Sequence, residues 1–178
     1  MKGDRTRAVN KFNEAISLSP RCAMAYENRA WSYFLQGDRQ QAIRDYGTAI
    51  ELGHKSADNN FARGICKENL NAKHEAVSDF DRALIAAPNF AQCHINRSLL
   101  LANLGKEKQA LQDFSDAITG ISAGTESHPE KQVHELLLAA AYRDRAVVLL
   151  KRGDQTAAKQ DFQKAEEIYP AYQPRKLR

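Results

Sequence analysis

Three cysteines, none in a C-x-x-C pair, leave this chain without the means for a disulfide scaffold or a four-thiolate zinc site. Cys22, Cys66 and Cys93 are widely spaced and odd in number, which suits a reducing, intracellular setting better than an extracellular one. The N-terminal MKGDRTRAVNKF has no apolar core of signal-peptide kind. The longest apolar runs, 99–104 and 136–142, fall far short of the ~20 residues a membrane helix needs. A cytoplasmic protein that neither enters nor leaves through a membrane is therefore expected. There is also no glycine-rich phosphate loop and no nucleophile elbow, so neither an enzyme nor a bound cofactor is expected.

Charge of one sign is scarce as well. Lysine and arginine number 26 against 22 acidic residues, a net of +4 over 178 residues. The excess is dispersed except for Arg175, Lys176 and Arg178, whereas a nucleic-acid surface usually shows a stripe or patch. Nucleic acid is disfavoured as a partner. The histidines offer no metal set either: Cys93-His94 lacks the second ligand pair that zinc spacing requires and is expected to be a packed position.

What the chain does have is a period. The signature A-x3-[FY]-x2-A stands at Ala8, Phe12, Ala15 and recurs at Ala42, Tyr46, Ala49, at Ala76, Phe80, Ala83 and at Ala110, Phe114, Ala117. The step is constant at about 34 residues, and a fixed period of this size marks stacked repeats. A fifth copy, Ala158, Phe162, Ala165, arrives late, since an unbroken period would have begun it at Asp144. Within each copy the small and aromatic residues recur at helical spacing in two blocks joined by a turn, so each unit is a helix pair. Gly37 suits the left-handed backbone that ends a first helix, Asn71 can take its place, and Asp38 is placed to cap the helix that follows.

One array over 1–178 is expected, with full repeats at 23–54, 57–88 and 91–122. Residues 1–20 match only the second half of a unit, with Gly3-Asp4 at the turn and a helix from about Arg5 to Leu18. That half unit implies either a capping helix or a fragment of a longer array, and a stripe with no hairpin mate favours the fragment. The extra length is placed in a loop at 119–128, on the strength of Gly120, Gly124, Ser127 and Pro129. The last repeat then covers 129–170, with a lengthened first helix from about Pro129 to Lys151, and 171–178 forms an irregular tail.

A second regularity rides on the first. Arg29, Arg63, Arg97 and Arg145 hold one place in the first helices, and Asp45, Asp79, Asp113 and Asp161 hold one place in the second, each at the same remove from its Arg. Each Arg and its Asp lie about equally far from the turn on opposite arms, which predicts a bidentate pair across every hairpin. Charge pairs at a structural period are architectural clips before they are catalysts.

The period and the skeleton [Y/N/H]-x2-R-[A/G/S], G-[D/K], A-x3-[F/Y]-x2-A, P resemble the tetratricopeptide repeat over nearly the whole chain. The resemblance implies an all-α solenoid of antiparallel helix pairs, a right-handed superhelix of about four and a half units. Its first helices would line a concave face that receives an extended peptide or a helix of a partner protein. One subset of that family holds acidic chaperone tails with a clamp of Lys and Asn residues. Asn28 and Asn96 match its central Asn, but Asp58 and Ala62, and Ala140 and Asp144, stand where Lys and Arg would follow. The chaperone-tail reading is set aside on that ground.

The groove can be placed from the residues. Trp31 is two positions beyond Arg29, about 200° around the helix, so it points away from the clip. Its counterparts Ile65 and Leu99 are apolar, as are Phe61 and Ile95 one turn earlier in the middle units. Asn28 and Asn96 stand beside them as hydrogen-bonding groups. Trp31, Phe61, Ile65, Ile95 and Leu99, with Asn28 and Asn96, are the expected peptide contacts; packing between neighbouring first helices is the alternative use of the row. The competing function is a structural segment of a larger scaffold of such repeats that assembles through its exposed end helices, self-association through those ends being one form of it.

Overall fold

The computed structural model describes residues 2–124 and 131–170. Every regular element among them is an α-helix, and the chain divides into two compact units, Met1–Pro88 and Asn89–Arg178.

The first unit contains α1 (Lys2–Leu18), α2 (Ala23–Gln36), α3 (Arg39–Glu51), α4 (Ala57–Asn69) and α5 (Lys73–Ala86). α2 pairs with α3 and α4 with α5 as hairpins, while α1 packs on α2 and α3 on α4. Small residues set the approach of the axes: Ala30, Ala42, Ala49, Ala76 and Ala83 have no exposed surface, and the rings of Tyr46 and Phe80 fill the space beside them. Gly64 shows how close the packing is, since a Cβ there would stand 2.6 Å from a carbon of the Phe80 ring. The turns follow expectation, with Gly37 at φ 89° and Asn71 at φ 62°, both left-handed. Asp38 occupies the cap position of α3 but makes no side-chain capping bond. Its backbone N–H is used instead, donating to the Tyr33 carbonyl at 2.9 Å to close the turn.

Two expectations about the ends of helices are corrected. Lys2 to Leu18 is one helix, so Gly3-Asp4 lies inside it rather than at a turn; one glycine costs a helix only about 1 kcal/mol and does not by itself stop it.

The second unit contains α6 (Ala91–Asn103), α7 (Glu107–Gly124), α8 (Lys131–Arg152) and α9 (Gln155–Ile168). Residues 119–124 belong to α7 and are not a loop. The apolar stripe of Phe114, Ala117, Ile118 and Ile121 continues past Gly120, and Ile118 and Ile121 are buried in a core with Leu138 and Ala141 of α8. Burial of that stripe outweighs the helix-weakening glycine. The rest of the expected loop, 125–130, and the tail 171–178 lie outside the described residues. α8 has 22 residues against 13 for α6, so the added length extends a helix pair instead of only its connection.

Candidate peptide-binding surface

All four periodic charge pairs form, each with both carboxylate oxygens engaged. Nε of Arg29, Arg63, Arg97 and Arg145 lies 2.7–2.9 Å from Oδ2 of its Asp, and Nη2 lies 2.5–2.8 Å from Oδ1. The four carboxylates are buried. For Asp79, burial pushes the carboxyl pKa up, but hydrogen bonds from Arg63 and Lys67 outweigh it and hold the group below its ordinary value. Asp113 is shifted in the same direction, burial being overcome by Arg97 and His94.

These clips orient the opposite side of each first helix. On α2, Asn28 and Trp31 are exposed, Trp31 to 50%, and Leu35 one turn on is 40% exposed. Trp31 is held in place: its ring stacks on Phe34 with centroids 5.2 Å apart and planes 8° from parallel. The Arg39 guanidinium lies 4.6 Å from the Phe34 ring centroid, and it also donates to the Phe34 carbonyl. On α4, Phe61 and Ile65 are half-buried. Phe61 leans on Phe80 at 5.8 Å, so part of its surface belongs to the hairpin core. Beside Ile65, the Asn69 amide donates back to the Ile65 carbonyl at 2.7 Å.

On α6 of the second unit, Asn96 and Leu99 are half-buried, and Leu99 packs against the edge of the core. Ile95 is a correction. At 3% exposure it is a core residue, enclosed with Phe114, Ile118 and Leu138, and has no free surface to offer a ligand. The lengthened α7 and α8 enlarge this core, and a side chain packed against both is drawn into it.

Cys66, Cys93, His54 and His94 are engaged in the fold. Cys66 and Cys93 are fully buried, and burial pushes the Cys66 thiol up to about 11, away from nucleophilic use. His54 Nδ1 lies 2.8 Å from Glu27 Oε2, joining the end of the first full repeat back to its first helix. His94, Asp113 and Asp116 bring three ligand atoms within 4.8 Å of one another. Asp113 there is already held by Arg97 at 2.6 Å, and that guanidinium would repel a metal cation. Among the described residues, no helix is long and apolar enough to cross a membrane.

One column of residues escaped the sequence reading. Arg29 Nη1 donates to Asn13 Oδ1 of α1 at 2.7 Å, and Arg145 Nη1 to Ser115 Oγ of α7 at 3.0 Å. Asn13, Gly47, Asp81 and Ser115 share one place in the period, on the helix that precedes each Arg helix. The signal was visible only as a column, because its residue types differ.

A family model of the tetratricopeptide repeat matches residues 2–60 and 102–172. Among curated proteins no match to the sequence is found. The fold is similar to that of solved structures. A crystal structure of MamA shares 18% identity at a TM-score of 0.82, over 95% of this chain and 91% of that one. YrrB, described as a repeat protein of this kind with an unusual peptide-binding site, shares 19% at 0.79, over 96% and 80%. MamA from Desulfovibrio magneticus RS-1 shares 12% at 0.79, over 97% and 90%.

Proposed function

Because the chain belongs to the tetratricopeptide repeat family, we propose that it is a protein-interaction module whose first helices receive a peptide or helical segment of a partner protein. The observation that carries this reading is Trp31. A large ring left 50% exposed forgoes burial, yet stacking on Phe34 holds it in a fixed orientation. A rigid aromatic anchor beside a hydrogen-bonding side chain, Asn28, is what a partner segment can bind with little loss of side-chain freedom. Within the first unit, Ile65 on α4 and the edge that half-buried Phe61 leaves open extend the proposed contacts; in the second unit, Asn96 and Leu99 on α6 are proposed contacts of their own. Ile95 supports them from inside the core. The described peptide-binding site of YrrB, a protein similar in fold, adds support.

The test is capture of partner protein by the wild-type chain and by Trp31→Ala, Leu99→Ala and the double variant. The double variant is expected to lose the partner while keeping its helical spectrum. In the wild type, the emission of the single tryptophan is expected to shift to shorter wavelength when the purified partner is added. Undiminished capture by the double variant would sink this assignment, and a mass that rises with concentration would favour self-assembly.

A further inference from the structure

Arg63 lacks two supports that the Arg29 and Arg145 clips have. Arg29 lies 5.4 Å from the ring of Tyr26, three residues before it, and Arg145 lies 5.4 Å from the ring of Tyr142 in the same relation. Each also spends its Nη1 on the preceding helix, at Asn13 or Ser115. At Arg63 both supports are missing. Asn60 replaces the tyrosine, and its amide is turned back on its own helix, Nδ2 donating to the Ser56 carbonyl at 2.9 Å. Gly47 replaces Asn13 and Ser115. A Cβ built at Gly47 would stand 3.7 Å from Arg63 Nη1, so the glycine directly faces the guanidinium and offers it no side-chain acceptor.

The hydrogen bonds of Arg63 run from Nε and Nη2 to Asp79 and leave Nη1 without an acceptor among the described residues. A guanidinium has five N–H donors, and two of those left over, one on each Nη, form an end-on fork of the shape a carboxylate accepts. Charge favours the same class of ligand. Asp79 is also approached by Lys67 at 2.6 Å and Arg82 at 3.2 Å, so three cations share one carboxylate and leave a surplus of two positive charges. On α3, Arg44 and Glu51 flank Gly47 with opposite charges, which leaves that surplus unchanged.

We propose that the notch between Gly47 of α3 and Arg63 of α4 is a binding site for a carboxylate group. It lies on the side of α4 opposite Ile65, since Arg63 and Ile65 are two residues and about 200° apart, so it is independent of the peptide surface proposed above. The carboxylate could come from an acidic side chain of a partner or from a small free acid, and the experiment separates these sources.

The full chain, labelled with nitrogen-15, is titrated with acetate, with a capped Ala-Glu-Ala peptide, and with chloride at matched ionic strength. Backbone signals of Gly47 and Arg63 and the Arg63 Nε–H signal are followed. Saturating shifts confined to these groups are expected with a carboxylate and not with chloride. Response to the peptide alone assigns the site to acidic side chains, and response to acetate alone to small acids. The variant Gly47→Ser restores the acceptor that Ser115 supplies elsewhere, and is expected to weaken binding about tenfold or more while its spectrum shows an intact fold. Shifts that only track ionic strength, or equal binding by Gly47→Ser, would overturn the proposal.

Discussion

The hairpins α2–α3 and α4–α5 share one skeleton and treat their polar groups in opposite ways. In the first, Asp45 answers a single cation, Arg29, which is also covered by Tyr26 and tied to Asn13. In the second, Asp79 is wholly buried and answers three cations, while Arg63 has lost both extra supports. The apolar side differs too: Trp31 stands out in solvent, whereas Phe61 leans inward on Phe80. The small and aromatic residues that bring the axes together are common to both, so the repeat dictates the clip and leaves its surroundings free to vary. That freedom is what makes copies of one hairpin chemically different.

Removing the clips should separate the two hairpins most. Asp79→Ala leaves three cations around an empty space and is expected to cost about 3 kcal/mol, against about 1.5 kcal/mol for Asp45→Ala, as read from urea melts. Equal losses would mean that Lys67 and Arg82 add nothing. Acid tests the Asp79 clip without mutation. The native pKa of Asp79 is lowered, so its stabilisation is complete above the unfolded value of about 4 and is lost as pH falls through the lower native value. Stability should therefore hold steady near neutrality and drop below about pH 4, and Asp79→Asn should flatten that drop.

Smaller effects test the packing. Gly64→Ala pushes a methyl group against the Phe80 ring, at an expected net cost of about 1–2 kcal/mol even though alanine is the better helix former. A more stable Gly64→Ala would show that the ring can move aside. Trp31→Ala, which removes a half-exposed ring, should change thermal stability by about 1 kcal/mol or less while weakening partner capture. A large loss of stability would make Trp31 part of the fold instead of its surface.

Much of the architecture was legible because it is periodic. The helix pairs, the left-handed turns at Gly37 and Asn71 and the four Arg–Asp clips all repeat, and repetition turns a weak local signal into a firm one. The departures came beside the break in the period and at a helix cap. Gly120 and Gly124 resemble loop punctuation, yet α7 runs through to Gly124 because Ile118 and Ile121 find a partner in Leu138. Ile95 has the same place in the repeat as Phe61 but is enclosed, because the lengthened α7 and α8 enlarge the core beside it. Asp38 sits at its cap position without forming the side-chain bond.

The sequence by itself determined the hairpin, its copy number and the pairing of charges within it, since these follow from two fixed spacings along one chain: the step from copy to copy, and the interval from each Arg to its Asp. Only the tertiary structure decided which equivalent positions stay exposed and which are buried, and that Arg63 Nη1 meets no acceptor among the described residues. Exposure depends on what the neighbouring helices bring to each position, and those neighbours vary in residue type and length even where the period does not.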